Sequence, residues 1–260
     1  MDTVQADRDH LARVGLVAYG VVHLLLGWLA VQLALGDREG EASTSGAIQQ
    51  LAEQPFGVVL VGAVAVGLFL LAVWQGAEAV FDHRSEKMSD QVRHRLTAAA
   101  KTVLYAAMGV SAARIVLGAG GSSQEEQADT VTAQLLGLPF GQVVVGVVGL
   151  GILAVGGYLV VKGVTDRFLE DLAHSGRGTA GTAYTWCGRV GYVAKGIAIG
   201  GVGVLFGYAA LTHDPDESGG IDATLRQVLE APGGPVLLGA LGLGIAGFGL
   251  FCFAWARHVD

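Results

Sequence analysis

Six ionisable side chains lie within or at the ends of long apolar stretches, where such groups are costly and are often functional. They are His23, Glu78, Lys101, Arg114, Lys162 and Lys195. His23 lies near the middle of its stretch, and an imidazole at that depth could relay protons or bind a metal ion. Because no second histidine or acidic residue recurs at this depth in the later stretches, we expect a hydrogen-bonded histidine that packs against protein.

Three of these residues lie near the ends of their stretches, within reach of water. Glu78 and Lys162 occupy matching positions, so they could form a polar pair. Lys162 could instead extend to the headgroup region, as long cationic side chains readily do, and the shorter Glu78 could also reach the headgroup water. Arg114 lies near the opposite end of the third stretch, where its guanidinium could pair with Glu125 or Glu126, or extend into the interface.

Lys101 and Lys195 share one position, a few residues inside the third and fifth stretches, and Tyr19 fills this position in the first. The recurrence suggests a common packing role. Each lysine could bind an anionic lipid headgroup or cap the C-terminus of a neighbouring helix. Extension of the side chain to the interface would also explain most of the pattern.

Motifs of enzymes and cofactor-binding proteins are weak or missing. Gly242, Gly244 and Gly247 have the spacing of a dinucleotide fingerprint, but they lie inside an apolar stretch and not after a strand. The chain has neither a Gly-x-Ser-x-Gly elbow nor the regular Asp-x-Asp spacing of a calcium loop. Its net charge of -7 argues against nucleic acid. We therefore expect no enzyme, no cofactor, no dedicated metal site and no nucleic-acid partner.

The six apolar stretches predict membrane-spanning helices. Apolar residues make up 52% of the chain and charged residues only 15%, against roughly 25% charge in soluble domains. The predicted spans are residues 14–35, 56–77, 98–117, 140–161, 190–211 and 235–256. Each approaches or exceeds the roughly 20 residues that cross a bilayer, and none alternates like a barrel strand. The first is also too long for the core of a signal peptide.

Positive charge between the spans predicts their orientation. The second and fourth loops hold most of the basic residues that lie between the spans, at Arg84, Lys87, Arg93, Arg95, Arg167, Arg177 and Arg189. Such loops face the cytoplasm, so both termini should lie inside and the acidic odd-numbered loops outside. Cys187 and Cys252 both lie near the cytoplasmic side, and we expect free thiols.

A unit of two helices is repeated three times along the chain. Pro55, Pro139 and Pro232 precede the second span of each unit, and each follows a short amphipathic segment, at residues 48–51, 131–136 and 225–229. The units are residues 12–82, 96–172 and 187–257 of one membrane domain, 1–260. Because each unit has two spans, all three enter the membrane in one orientation. We predict a pseudo-threefold axis along the membrane normal, with the amphipathic segments as short helices on the outer face.

One motif lies at the start of the first helix and is repeated in the fifth, where it is most specific, and a second motif lies at the end of the last helix. The helix motif is Arg13, Gly15, Ala18 and Gly20, and then Arg189, Gly191, Ala194 and Gly196; residues 248–257 read FGLFCFAWAR. With these motifs the chain resembles, over nearly its whole length, a mainly actinobacterial family catalogued as domain of unknown function 1206. The resemblance implies three two-helix repeats in the bacterial plasma membrane, and it implies no activity. His23 and Trp255 depart from the family's usual aromatic and acidic residues.

Two functional hypotheses stay open. The leading one is a non-enzymatic accessory, scaffold or partner-binding subunit, because polar residues inside the spans are few. Its partners would be the lipid bilayer and a membrane protein. The alternative is a small transporter or channel for an ion or small solute, with a pathway along the axis lined by the first helix of each unit. A membrane enzyme ranks third, since no acid, base and nucleophile converge.

Overall fold

The computed structural model describes residues 2–36, 42–81, 88–118, 123–171 and 179–257. Its helices are α1 (Asp2–Ala34), α2 (Thr44–Ala52), α3 (Gly57–Phe81), α4 (Met88–Val116), α5 (Gln124–Leu136), α6 (Gly141–Val164), α7 (Thr179–Thr212), α8 (Ile221–Glu230) and α9 (Gly234–Arg257). Two 3-10 turns, Arg167–Asp171 and Pro215–Glu217, follow α6 and α7. These ranges contain no strand, so the all-α prediction is confirmed for them.

Three described helices are long and apolar enough to cross a membrane, namely Gly141–Val164, Thr182–Thr212 and Gly234–Arg257. They correspond to the last three predicted spans. The first three predicted spans lie in α1, α3 and α4, and the apolar parts of α1 and α3 include Tyr19–Ala34 and Gly57–Val73. The chain therefore has helices typical of a membrane protein, and the full set of six spans stays a prediction.

The helices form two compact units. The larger unit comprises residues 1–47 and 123–260, and the smaller unit comprises residues 48–122. In the larger unit α6 packs on α7, α7 packs on α9, and α9 packs on α1. In the smaller unit α3 packs on α4. A single domain over residues 1–260 stays a prediction.

One helix pairing recurs in all three repeats. The second long helix of each repeat packs on the first long helix of another: α3 on α4, α6 on α7, and α9 on α1. The first two pairs join neighbouring repeats, whereas the third joins the last repeat to the first. The contact between α9 and α1 therefore links the two ends of the sequence.

Small residues spaced seven apart allow close approach in these pairs. In α6, the residues Gly149, Gly156 and Gly163 face α7. A Cβ atom on Gly156 would lie 2.6 Å from the backbone nitrogen of Gly200 and 2.7 Å from the carbonyl oxygen of Gly196. No side chain fits in that gap, so the two backbones are in contact, as small residues permit in membrane helix packing.

The pair of α1 and α9 uses the same helix face. Gly249 of α9 corresponds to Gly156 of α6 when the repeats are aligned on their prolines. A Cβ atom on Gly249 would lie 2.7 Å from the carbonyl oxygen of Gly20. The corresponding residue of α3 is Ala72, which is also small and buried. All three second helices thus present a small residue at this position.

A tight turn before each second long helix explains the Pro-Phe-Gly motif. Phe56 and Phe140 have positive φ angles of 65° and 63°, and Gly233 fills the same position with a φ of 77°. The residue after Phe140 is Gly141, where a Cβ atom would lie 2.3 Å from the carbonyl oxygen of Leu135. Only glycine fits there. Both phenylalanines are 84% exposed, which suits aromatic residues at a membrane interface.

The three amphipathic segments form the short helices α2, α5 and α8, as predicted. A capping box begins α5, in which the side chains of Ser123 and Glu126 each accept a hydrogen bond from the other's backbone N–H. In α8, Leu225 is buried in a core that it shares with α1, α7 and α9. The location of these helices on the outer face stays a prediction.

Candidate functional site

Two helices of the larger unit, α1 and α7, bring together Tyr19, His23 and Lys195, which we call the polar cluster. Lys195 of α7 donates a hydrogen bond from Nζ to the hydroxyl oxygen of Tyr19 in α1. Its ammonium lies 4.5 Å from the centroid of the Tyr19 ring and 4.3 Å from that of Phe248 in α9. Both distances are those of cation–π contacts. Two of the residues singled out from the sequence, His23 and Lys195, thus meet in one site.

His23 is buried and hydrogen-bonded within this cluster, with 7% of its surface exposed. Its Nδ1 lies 2.9 Å from the carbonyl oxygen of Tyr19, so Nδ1 carries the hydrogen and donates it. The imidazole centroid lies 4.3 Å from that of the Tyr19 ring and 4.9 Å from that of Phe248. His23 therefore packs against protein and holds the Tyr19 ring in place.

Helix geometry determines this convergence. Tyr19 and His23 are four residues apart and so share one face of α1. Gly191 allows α7 to approach α9 closely, since a Cβ atom there would lie 2.6 Å from the Cα atom of Phe248. Lys195 follows Gly191 by four residues on the same helix, and it therefore reaches the Phe248 ring.

The polar cluster is rich in hydrogen-bond donors. The groups that face Lys195 are Tyr19 and His23 from α1, and Phe248 and Cys252 from α9. Among the residues that the structure describes, no carboxylate pairs with Lys195. Tyr19 is 39% exposed and Lys195 is half-buried, so the cluster is open on one side. An open cation without a fixed counter-charge can bind an anion.

An ion pair lies at the predicted cytoplasmic end of α7. Arg189 donates one hydrogen bond from Nε to Asp166, at 3.0 Å, and a second from a terminal nitrogen to its other oxygen. These bonds hold the pKa of Asp166 below its usual value, against the opposing effect of partial burial. The Arg189 guanidinium also lies 4.9 Å from the centroid of the Trp186 ring. The pair therefore joins Asp166, two residues past the end of α6, to α7.

Phe168 fills the space between α7 and α9 near that ion pair. It is fully buried, and its ring stacks on Tyr192 at 5.4 Å and meets Phe251 edge-on at 5.2 Å. Gly188 makes room for it, since a Cβ atom there would lie 2.5 Å from the Phe168 ring. Sequence reasoning missed this residue. The signal that could have found it is an aromatic residue inside the charged turn Arg167–Asp171.

Asp222 joins α8 to the segment that precedes α2. Its carboxylate is buried and accepts a hydrogen bond from the backbone N–H of Ala42, at 2.6 Å. It also accepts one from Nε of Arg226, at 2.6 Å. Asp222 lies in one of the acidic odd-numbered loops, and the sequence predicts no specific role for it. The bond to Ala42 ties the third repeat to the first within the larger unit.

Replacing Asp222 with alanine should lower the free energy of unfolding by about 1–3 kcal/mol. The substitution removes the acceptor of the buried N–H of Ala42 and of the Nε–H of Arg226. Thermal unfolding of the purified protein in detergent, followed by far-UV circular dichroism, measures the loss. Glu230→Ala is the control, because Glu230 is exposed at the end of the same helix. Equal midpoints for the two variants would contradict the anchoring role.

The structure places the remaining four predicted residues on α3, α4 and α6. The side chain of Glu78 lies outside the described part of the chain, so its pairing with Lys162 stays a prediction. The ammonium of Lys162 lies 5.1 Å from the centroid of the Tyr192 ring. Lys101 and Arg114 are exposed on α4, and the pairing predicted for Arg114 is untested.

Both cysteines are free thiols, as expected. Cys252 is buried in an aromatic cluster that includes Phe248 and Phe251, and Cys187 packs against the same cluster. Within the described ranges, no three His, Cys, Asp or Glu side chains converge as metal ligands would. Cys252 thus has a packing role beside the polar cluster.

Comparison with known proteins supports the repeat. One family model, described as Domain of Unknown Function (DUF1206), matches residues 14–82, 96–166 and 190–258. A protein of Bacillus subtilis (strain 168), described as the uncharacterized protein YxxB, is 30% identical over 241 residues, which cover 92% of this chain and 86% of that protein. No solved structure gives a significant match. The three matched segments confirm the three repeats that the sequence predicted.

Proposed function

We propose, starting from the fact that this chain belongs to the DUF1206 family, that it is a non-enzymatic membrane transporter or channel for an ion or small solute. Six long helices would span the bacterial plasma membrane, with both termini in the cytoplasm. The three repeats would surround a pseudo-threefold axis, and the short helices would lie on the outer face. The polar cluster would be the binding centre of the pathway.

Two regularities support the axis. The same helix pairing recurs in α3 with α4, α6 with α7, and α9 with α1, as expected if each repeat packs on the next one in the same way and the last packs on the first. Tyr19 and Lys195 also occupy the same position of the repeat and contact each other. Equivalent residues of a rotationally repeated structure meet only near the axis that relates them. This contact therefore favours a location of the polar cluster close to the axis.

The polar cluster carries the functional proposal. An ammonium, a phenol and an imidazole lie between apolar helices, where ionisable groups usually mark a pathway or a binding site. Tyr19 and Lys195 lie on the first long helices of their repeats, which are the helices expected to line the axis. This positive observation raises transport above the accessory-subunit hypothesis.

Flux measurements in proteoliposomes test the proposal. The purified full chain is reconstituted into vesicles of neutral lipid, and stopped-flow light scattering follows their volume after a jump in potassium chloride, potassium gluconate or glycerol, each measured with and without valinomycin so that potassium can accompany an anion and keep the charge balanced. At least one solute should cross faster than in protein-free vesicles. His23→Phe keeps an aromatic ring in the same space and should slow that flux about tenfold, the effect of losing ~1.4 kcal/mol. Gly157→Ala, at a position in open space on α6, should leave the flux unchanged.

Rates equal to those of protein-free vesicles for every solute would overturn the transport proposal. The accessory hypothesis would then be tested by affinity purification of the tagged chain from its native membrane in mild detergent, with an unrelated six-helix protein as the control. A stoichiometric partner, absent from that control, would support an accessory role.

A further inference from the structure

We propose that the polar cluster binds a single negatively charged group, held by the ammonium of Lys195 and the hydroxyl of Tyr19. This inference rests on the proposed function and names the class of its ligand. The ligand is a small monovalent anion or the phosphate of an anionic lipid headgroup, because the two share the chemistry that this site recognises.

The charges around Lys195 call for an anion. An ammonium enclosed by apolar helices is costly unless an opposite charge compensates it. The described groups that face it are the phenol of Tyr19, the imidazole of His23, the ring of Phe248 and the thiol of Cys252. None of these is a carboxylate. Because the cluster is open on one side, an anion from outside the chain can supply the missing charge.

The donors of the cluster converge on one acceptor. Lys195 has three N–H groups, of which one bonds the hydroxyl oxygen of Tyr19. Because that oxygen accepts this bond, the hydroxyl hydrogen of Tyr19 is left for another acceptor. The two donors are adjacent and lie on the exposed side of the cluster. An anion placed there would receive two hydrogen bonds, one of them charge-assisted at both ends.

His23 is a positioning residue in this site. It is buried one helix turn from Tyr19, donates a hydrogen bond to the carbonyl oxygen of Tyr19, and contacts the Tyr19 ring. Phe248 supports the ammonium from the opposite helix. The aromatic rings therefore fix the direction of both donors before the anion arrives, which lowers the entropic cost of binding.

The depth of the site admits both sources of negative charge. Lys195 lies five residues beyond Val190, where its predicted span begins, or about 8 Å into the apolar layer at the rise of an α-helix. A small anion would reach that depth along the hydrated pathway that the proposed transport function requires. A headgroup phosphate can reach it if the long lysine side chain extends toward the interface.

Thermal unfolding in nanodiscs tests the site with chloride as the probe. The full chain is placed in neutral phosphatidylcholine, and chloride is titrated against gluconate at constant ionic strength. The wild type should show a saturable rise in midpoint. Lys195→Met should weaken the apparent affinity for chloride about tenfold or more, as expected for the loss of a charged hydrogen bond. Lys162→Met is the matched control and should bind like the wild type, because Lys162 also lies over a tyrosine ring but contacts Tyr192.

Tyr19→Phe keeps the test decisive if Lys195→Met does not fold. It retains the ring that packs on Lys195 and His23 and removes only the hydroxyl, so it should also weaken chloride binding. A second arm replaces part of the phosphatidylcholine with phosphatidylglycerol in chloride-free buffer. Stabilisation by phosphatidylglycerol that depends on Lys195, without any effect of chloride, identifies the headgroup as the ligand.

The inference is overturned if neither probe stabilises the wild type, or if the variants at Tyr19 and Lys195 respond as the wild type does. These outcomes are separate from those of the flux assay. Binding that depends on Lys195 without solute flux supports the anion site and contradicts transport. Solute flux without such binding supports transport and contradicts the anion site.

Discussion

Replacing Gly156 with leucine should force α6 away from α7 and lower the free energy of unfolding by roughly 3 kcal/mol, the upper end of the usual cost of overpacking. The atoms that a side chain would meet first are backbone atoms of Gly196 and Gly200, at 2.7 and 2.6 Å. Backbone cannot rotate away as a side chain can, so the helices themselves must separate. Thermal unfolding should show a midpoint about 10 °C lower.

The adjacent glycine supplies the control. A Cβ atom on Gly157 meets nothing within 4 Å, and this residue is exposed. Gly157→Leu should therefore change stability by no more than about 1 kcal/mol, the range of helix propensity. If both variants lost the same stability, the glycines of α6 would serve helix flexibility and not close packing, and the prediction would be wrong.

The long helices could be predicted because apolar length is a property of the sequence alone. Each predicted span falls almost wholly within a long helix, as residues 140–161 do in α6. The starts of three helices differ from the prediction, since α1, α4 and α7 begin well before their apolar parts. Hydropathy marks the part of a helix that suits lipid. It gives no signal where the same helix continues through polar residues into water.

The glycines that allow α6 to pack closely on α7 are visible in the sequence, but the sequence does not show which glycines face a neighbouring helix. Gly149, Gly156 and Gly163 are seven residues apart, which is the spacing of one helix face. The chain contains 41 glycines, however, and many other pairs in its apolar stretches have the spacing of helix contacts. Which glycines face a neighbour depends on how the helices pair. That information is tertiary, and periodicity within one helix does not contain it.

The polar cluster could be predicted only in part for the same reason. The repeat placed Tyr19 and Lys195 at one position, but it did not show that they touch, because the contact joins residues 176 apart. The sequence showed no polar partner for His23 at the same depth in another repeat. Its contacts are with Tyr19, one turn away on the same helix, and with the apolar ring of Phe248 on α9. Asp222 and Ala42 are 180 apart and likewise carry no local signal of their hydrogen bond.

Replacing Phe168 with alanine should lower the free energy of unfolding by roughly 3–5 kcal/mol, the usual cost of removing a buried phenylalanine ring. The ring lies between Tyr192 and Phe251, and Gly188 has no side chain with which to fill the space. The neighbouring helices are held by backbone contacts, so they cannot close the cavity. Thermal unfolding in detergent measures the loss, and Arg167→Ala, at the preceding exposed residue, is the control.

The effect of this cavity should extend along α7 and α9, because the aromatic contacts are continuous. Tyr192 contacts Phe248 edge-on at 5.0 Å, and Phe248 supports the ammonium of Lys195 at 4.3 Å. Phe168→Leu fills part of the space and should recover part of the stability, since the cost of a core truncation follows the size of the cavity. If Phe168→Ala unfolded at the same temperature as Arg167→Ala, the turn after α6 would contribute nothing to the stability of the helices. The observed burial of Phe168 favours the opposite result, in which this turn stabilises the helices that hold the polar cluster.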